Sequence, residues 1–172
     1  GRIAWLVARE GYRVVGVDPS QGMIREAGLQ ASAGLDVEFR VIDGNGEGLD
    51  TEAYDGVICS SVIEYVPNAE ELLRHFHRSL VSGGVLIISY ANKHSLWRKY
   101  EHFRFPTAPH LRVQHHLWGF SELRTVLCRS GFEIVSGPRF FACPPLDERC
   151  RLSFLSSSRL LGTLALVVAR AR

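Results

Sequence analysis

The chain has 172 residues, 46% of them hydrophobic and 22% charged, which is the composition of one soluble globular domain with a buried core. Its formal net charge of +2 is too small to indicate a nucleic-acid or membrane partner. The four scattered cysteines indicate reduced thiols in a cytoplasmic protein, no signal-peptide pattern is visible, and the longest apolar run, residues 164–169, is too short to cross a bilayer.

Helix and strand patterns alternate along the first half of the chain. Apolar stretches that stop at glycine predict helices, and alternating or continuous apolar runs predict strands. Ser20 and Asn68 stand where helix N-caps are expected, and Glu71 adds a capping-box partner for Asn68. In chain order, the patterns predict a buried helix over 2–10, a strand over 12–18, a helix after Ser20, strands over 37–41 and 54–59, a helix from Asn68 to Gly83, and a strand over 85–88.

The second half is less regular. Residues 91–118 are rich in His, Arg and aromatic side chains and predict an inserted cap-like segment or long loop. Ser121 predicts the N-cap of a helix that ends at Gly131, and strands are expected over 132–135 and 162–169 with an irregular stretch between them.

This order of elements predicts the fold class. Alternation of strand and helix is typical of an α/β protein with a doubly wound, mostly parallel sheet. Two final strands without a crossover helix predict an antiparallel C-terminal hairpin at one edge. We expect a single domain over residues 1–172.

Ligands in open α/β sheets bind outside the carboxyl ends of the strands, so the residues at those ends are the candidates for function. Asp18 ends its strand where nucleotide-binding sheets place an acid that accepts hydrogen bonds from a ribose. The alternative for Asp18 is an acid that favours the positive end of the next helix. Asp43 ends another strand, and its alternative is an Asx-turn residue opening the glycine-rich loop after it.

Several motifs resemble those of the class I S-adenosylmethionine (SAM)-dependent methyltransferases, in the order and spacing of that family. Val14-Val15-Gly16-Val17-Asp18-Pro19-Ser20, followed by Met23-Ile24, is similar to its second-strand motif. The other matching segments are its fourth-strand motif at 54–67, with Tyr65 where a His is common, its Gly-Gly lead into the fifth strand at 80–86, and its last helix and sixth strand at 119–123 and 130–135. The similarity is greatest to small enzymes of the type 11/12 group, which resemble the ubiquinone and menaquinone biosynthesis methyltransferases.

The resemblance implies a Rossmann-like sheet and SAM as the cofactor. It implies that Asp18 binds the ribose, that Asp43 and the Gly44 backbone bind the adenine, and that Met23 packs on the adenine face, the alternative for Met23 being a core-facing position. Cys59 and Ser60 would line the methionine end of the cofactor. Gly1 corresponds to the last glycine of the family's loop, so the first strand and most of that loop are expected before this chain, and the chain as given is expected to bind SAM weakly or not at all.

The implied reaction is an in-line methyl transfer to an oxygen, carbon or nitrogen atom of a small molecule, which mainly requires alignment and exclusion of water. An oxygen acceptor must also be ionised, and a general base then helps. His115 and His116 are the candidate bases, with Glu64 and Tyr65 as weaker ones, although either His can also be exposed or structural. No metal site is expected, because the histidines at 102, 110, 115 and 116 have no carboxylate or Cys at ligand spacing.

Two questions about partners and function class stay open at this point. The basic, aromatic segment 93–100 can guide an anionic or lipid-like acceptor, or it can form an amphipathic surface helix; neither a nucleic-acid partner nor stable membrane insertion is expected. One alternative function is a nucleotide-dependent oxidoreductase or epimerase, which the terminal hairpin and the lack of a Tyr-x-x-x-Lys pair oppose. The other is a degenerate methyltransferase fold that acts as a scaffold.

Overall fold

The computed structural model describes residues 1–30, 34–141 and 157–172, which divide into two compact units, Gly1–Leu49 and Asp50–Arg172. The first unit contains α1 (Arg2–Arg9), β1 (Val14–Asp18), α2 (Gln21–Leu29) and β2 (Val37–Val41). The second contains β3 (Tyr54–Ser60), α3 (Ala69–Ser79), β4 (Leu80–Ala91), α4 (Leu96–Arg104), α5 (Pro109–Arg112), α6 (Phe120–Arg129), β5 (Phe132–Phe141) and β6 (Leu164–Ala171).

In the first unit, β1 and β2 form a parallel pair in which Asp18 is in register with Val41. The two helices pack on this pair, and Ser20 caps α2 as predicted, its Oγ accepting a hydrogen bond from the backbone N–H of Met23 at 3.3 Å. The prediction that α1 is a buried helix is wrong. Only Ala8 of α1 is buried, because a pair of short strands covers one face of a helix and leaves the apolar side chains of its other face exposed.

The second unit is built on a four-stranded sheet with the order β3-β4-β6-β5. β3 and β4 are parallel, whereas β6 is antiparallel to both β4 and β5. The mixed sheet, parallel at first and antiparallel at the end of the chain, confirms the predicted fold class. Ile88 of β4 and Val167 and Ala169 of β6 are completely buried in this sheet.

The helix caps of the second unit agree with the sequence at one site and differ at another. Asn68 caps α3 by accepting a hydrogen bond from the N–H of Glu71 at 3.2 Å, as predicted. The prediction that Ser121 caps α6 is wrong, because α6 begins at Phe120 with Gly119 as its N-cap residue. The carboxylate of Glu122 accepts a hydrogen bond from the backbone N–H of Gly119 at 2.8 Å. A side chain three residues into the helix thus satisfies the backbone donor of the N-cap residue.

Segment boundaries also differ at α3 and β4. The helix ends at Ser79 and not at the predicted Gly83, because the chain already pairs with β3 at Leu80. Gly83 then lies within a long strand, at φ +76°, where the left-handed conformation favours glycine. Side chains of α3, including Leu72 and Phe76, are buried.

Residues 91–118 contain the two helices α4 and α5 and are therefore not a simple loop. Asn92 anchors this segment: it is buried, it forms a β-bridge with Trp118, and its side-chain N–H groups donate to the carbonyls of Arg159 and Gly162. The irregular stretch expected after β5 falls mostly outside the described residues. None of the helices in the described part of the chain has the length and apolar character needed to cross a bilayer.

Candidate functional site

Asp18, the last residue of β1, and Asp43, two residues after β2, stand at the same edge of the parallel pair. The carbonyl of Asp18 accepts the N–H of Ile42 at 3.4 Å, and Asp43 follows directly. One carboxylate oxygen of Asp18 accepts the N–H of Ser20 at 2.8 Å, and one oxygen of Asp43 accepts those of Asn45 and Glu47 at 2.8 and 3.2 Å. Asp43 therefore forms the Asx turn expected as its alternative, and Asp18 accepts a similar local bond next to the start of α2, where its alternative placed it. Within the described residues the second oxygen of each acid accepts no further hydrogen bond.

The remaining adenosine-site candidates of this unit are exposed or close-packed. Met23 is 55% exposed on α2, so the alternative of a core-facing position is wrong. Gly44 has open space where a side chain would begin. Gly1, in contrast, has no room: a Cβ there would lie 2.9 Å from the Cβ of Ala27, so Gly1 lets α1 and α2 approach closely. A free carboxylate oxygen, an exposed thioether and an open glycine backbone fit the polar edges and flat face of an adenosine.

The end of β3 is tied tightly to β4. Ser60 Oγ lies 3.2 Å from Ser89 Oγ, and the backbone N–H of Ser61 donates to the Ser89 carbonyl at 3.0 Å. Ser61 takes φ +51°, which is uncommon for a residue with a side chain and costs about 1 kcal/mol or more. Such strain clusters at ligand sites, and here it occurs at the carboxyl end of a parallel strand.

Cys59 is buried at the same strand end. Burial, together with the smaller effect of the nearby Glu64 carboxylate, raises the pKa of its thiol to about 12. The thiol therefore stays protonated at neutral pH, which fits a residue that lines a site and does not act as a nucleophile.

Glu64 follows β3 in a short 3-10 turn and is 1% exposed. Burial raises the pKa of its carboxyl, while backbone hydrogen bonds from Glu64 and Ala91 and the positive charge of Arg98 act in the opposite direction. Its Oε2 has no hydrogen-bond partner among the described residues. A buried carboxyl in this state is costly unless a ligand, water or proton satisfies it.

His115 and His116 are both joined to this turn through the backbone. Their N–H groups donate to the Glu64 carbonyl at 2.8 and 3.2 Å. The side chains line a shallow cavity of about 260 Å³, together with Val66, Ala69 and Trp118. The structure thus brings the two candidate bases next to the loop that follows β3.

The two histidines differ in their surroundings. The ring of His116 lies 4.3 Å from that of Trp118, and its Nε2 lies 3.8 Å from Oε2 of Glu122. The second oxygen of Glu122 pairs with Lys93, and this hydrogen bond, followed by that from Gly119, lowers the pKa of the Glu122 carboxyl. A carboxylate that stays ionised therefore stands beside the His116 ring.

Three further buried groups lie near the end of β4 and the start of α4. Tyr90 Oη, Ser95 Oγ and Arg98 Nε have no hydrogen-bond partner among the described residues, and burial raises the pKa of Tyr90 to about 12. Ser95 and Arg98 carry no signal of this in the sequence, because the burial of these atoms depends on how α4 packs. No group of three His, Cys, Asp or Glu residues placed to hold a metal ion occurs in the part of the chain described; the side chain of His110 lies outside it.

Comparison with families of known proteins gives one match over most of the chain. A family described as a methyltransferase domain matches residues 1–137. Among curated proteins, the ubiquinone biosynthesis O-methyltransferase of Rhizobium johnstonii is 31% identical over 94 residues, which are 54% of this chain and 38% of that protein. The chain therefore spans about two fifths of the length of this relative.

Solved structures share the fold. A SAM-dependent methyltransferase from Mesorhizobium loti covers 91% of this chain and is itself covered to 79%, with a TM-score of 0.69 and 21% identity. Magnesium protoporphyrin IX methyltransferase from Synechocystis PCC 6803, solved with bound S-adenosylhomocysteine, covers 99% of this chain and is covered to 69%, with a TM-score of 0.70 and 24% identity. At these identities the similarity establishes the architecture.

Proposed function

The chain belongs to the SAM-dependent methyltransferases of class I, and on this premise we propose that it transfers a methyl group to an ionisable oxygen of a small, single-ring acceptor. The oxygen is suggested by the curated relatives, which are O-methyltransferases. The acceptor's size is suggested by the cavity of about 260 Å³, which is below the range of pockets for drug-sized ligands.

We assign the adenosine half of the cofactor to the first unit. Asp18 would accept hydrogen bonds from the ribose hydroxyls through its free carboxylate oxygen, and Asp43 with the Gly44 backbone would hold the adenine edge. Met23, exposed on α2, would pack against the ring face. When bound, SAM supplies a methyl group already activated on its sulfonium, so these residues need to orient the cofactor and not to activate it.

We assign the acceptor to the second unit. Cys59 and Ser60, which the resemblance assigns to the methionine end of the cofactor, would be neutral groups at the end of β3. The buried side chains of Val66, Ala69 and Trp118 would form the apolar wall of the acceptor cavity. His116 would be the general base, taking the proton of the acceptor hydroxyl at its ring. The ionised Glu122 beside Nε2 favours the imidazolium that results. His115, which lacks such a carboxylate among the described contacts, would shape the cavity.

The observation that carries this proposal is the pairing of the His116 ring with Glu122 at the rim of the cavity. The first experiment measures SAM binding to the chain by calorimetry, followed by transfer of labelled methyl to a panel of phenols, carboxylic acids and amines. We expect binding, and transfer to a phenol. Transfer to amines alone would overturn the assignment of oxygen as the acceptor atom. Failure to bind SAM would overturn the proposal that this chain is an active methyltransferase.

The second experiment separates the two histidines. His116→Gln should lower kcat for a phenol by about 100-fold or more, with most of the loss recovered at alkaline pH, where the acceptor ionises without help. His115→Gln is the matched control and should change KM more than kcat. Equal loss of kcat in both variants at every pH would contradict the role of His116.

A further inference from the structure

Helix α4 exposes an apolar stripe. Leu96, Tyr100 and Phe103 follow one another at helical spacing of four and three residues, so they lie on one face of the helix. They are 52%, 49% and 86% exposed, and no residue of α4 is buried. We call these three side chains the α4 stripe.

The opposite face of α4 is the charged one, and it faces the protein. Arg98 and Glu101 form an ion pair at 3.0 Å there, with side chains only 20% and 19% exposed. His102 extends this face, its Nδ1 lying 2.9 Å from the Arg98 carbonyl. A surface helix of a globular protein normally shows the reverse arrangement, with its apolar stripe inward. The α4 stripe is therefore a surface built for contact with something outside this helix and its neighbours.

The apolar surface continues beyond the helix. Phe105 is 50% exposed directly after α4, with the Arg104 guanidinium 5.2 Å from its ring centroid, and Val113 is 58% exposed after α5. Aromatic side chains dominate this surface, and aromatic rings that remain next to water are characteristic of the boundary between lipid and water.

Positive charge surrounds the α4 stripe. Lys99 and Arg104 are exposed and flank it on the helix surface, and Arg112 is exposed at the end of α5. Between residues 93 and 112 the sequence has five Lys or Arg residues and one acid. Lys93 pairs with Glu122 and Arg98 faces inward, which leaves Lys99, Arg104 and Arg112 beside the stripe. That single acid is Glu101, which is already paired with Arg98 on the inward face. The outward surface is thus basic and aromatic.

We propose that the α4 stripe and its basic flanks dock the protein on the surface of an anionic phospholipid bilayer. The aromatic and leucine side chains would enter the boundary between headgroups and acyl chains, and Lys99 and Arg104 would meet the phosphates. A second copy of the chain fits this surface poorly, because a symmetric contact through the stripe would bring the same positive charges together. The contact is peripheral, since a helix of nine residues lies in the interface and does not cross it.

The test is co-sedimentation of the full chain with vesicles, which requires neither SAM nor an acceptor. One set of vesicles is phosphatidylcholine alone, and the other contains phosphatidylglycerol as well. We expect binding to the second set only, decreasing as sodium chloride is raised because salt screens the phosphates. Phe103→Ser and Lys99→Glu should each lower the partition coefficient of the chain onto these vesicles by about tenfold.

The controls are two variants outside the α4 stripe with the same kinds of substitution, one apolar residue to serine and one charge reversal. Val135→Ser removes an exposed apolar side chain of β5, and Arg129→Glu reverses an exposed charge at the end of α6. Both should bind as the unaltered chain does, and circular dichroism should show all four variants folded. Absence of binding to phosphatidylglycerol vesicles, or equal loss in the controls, would overturn the proposal. A concentration-dependent dimer that Phe103→Ser abolishes, without vesicle binding, would assign the stripe to self-association instead.

Discussion

The backbone carbonyl of Glu64 accepts a hydrogen bond from the backbone N–H of His115 at 2.8 Å. This bond joins the turn after β3 to the segment before α6, which is more than 50 residues away along the chain. The same carbonyl also accepts the N–H of His116, at 3.2 Å. These two bonds hold the segment of the buried Glu64 against the segment of the two exposed histidines, and a change at either segment is expected to affect the other.

Asp18 should contribute to SAM affinity through charge. We expect Asp18→Asn to weaken SAM binding by about 10-fold or more, because a neutral amide makes weaker hydrogen bonds to ribose hydroxyls than a carboxylate does. The asparagine oxygen can still accept the N–H of Ser20, so the local turn is preserved. Calorimetric titration with SAM measures the effect, and Asp36→Asn, an exposed acid before β2, is the control. Equal affinity of the Asp18→Asn and control proteins would remove Asp18 from the site.

Glu64 should reduce stability at neutral pH. Burial raises its folded-state pKa above the ordinary value of 4.5, so its contribution to stability is complete below that value and is lost as pH rises through the folded pKa. Glu64→Gln has no such titration and should be about 1 kcal/mol or more stable than the unaltered chain at neutral pH, with the difference closing in acid. Urea unfolding at a series of pH values measures this.

The control for that experiment is Glu26→Gln, an exposed residue of α2. Its free energy of unfolding should follow the pH dependence of the unaltered chain. If Glu64→Gln and Glu26→Gln give the same dependence of unfolding free energy on pH, burial does not raise the pKa of the Glu64 carboxyl in the folded protein.

Cys59 should be unreactive in the folded protein. Its thiol is buried and its pKa is raised to about 12, whereas Cys128 is exposed on α6. Iodoacetamide at mildly alkaline pH should therefore modify Cys128 rapidly and Cys59 only after denaturant is added. Peptide mass spectrometry distinguishes the sites. Rapid labelling of Cys59 without denaturant would mean that the end of β3 opens readily.

Glu122 should stabilise α6 more than Ser121 does. Glu122→Ala removes the acceptor for the Gly119 N–H and the partner of Lys93. We expect it to cost about 1 kcal/mol, most of it from the cap, because an ion pair that is partly exposed to solvent contributes little. Ser121→Ala, at the position that the sequence marks as the cap, should change stability by less than about 0.5 kcal/mol. Thermal unfolding of the two variants makes the comparison, and the reverse order would restore Ser121 as the cap.

Local features of this chain were predictable where one short segment contains both partners of an interaction. Ser20 and Asn68 cap their helices as expected, because each accepts a hydrogen bond from a backbone N–H three residues on. Ser121 was misassigned because Gly119 and Glu122 form a cap of a less common kind over the same few residues. The alternation of apolar segments was sufficient for the fold class, since it reflects which elements must cover a sheet.

The sequence by itself determined the family, the class of fold and the acids that end β1 and β2, because these depend on residue type and on spacing along the chain. Only the tertiary structure decided which groups are buried and which faces are exposed. Met23 proved exposed, α4 turned its apolar stripe outward, and Glu64 proved buried, with one oxygen that has no partner among the described residues. Burial is the sum of contacts from segments distant in sequence, and no pattern within a single helix or turn contains that sum.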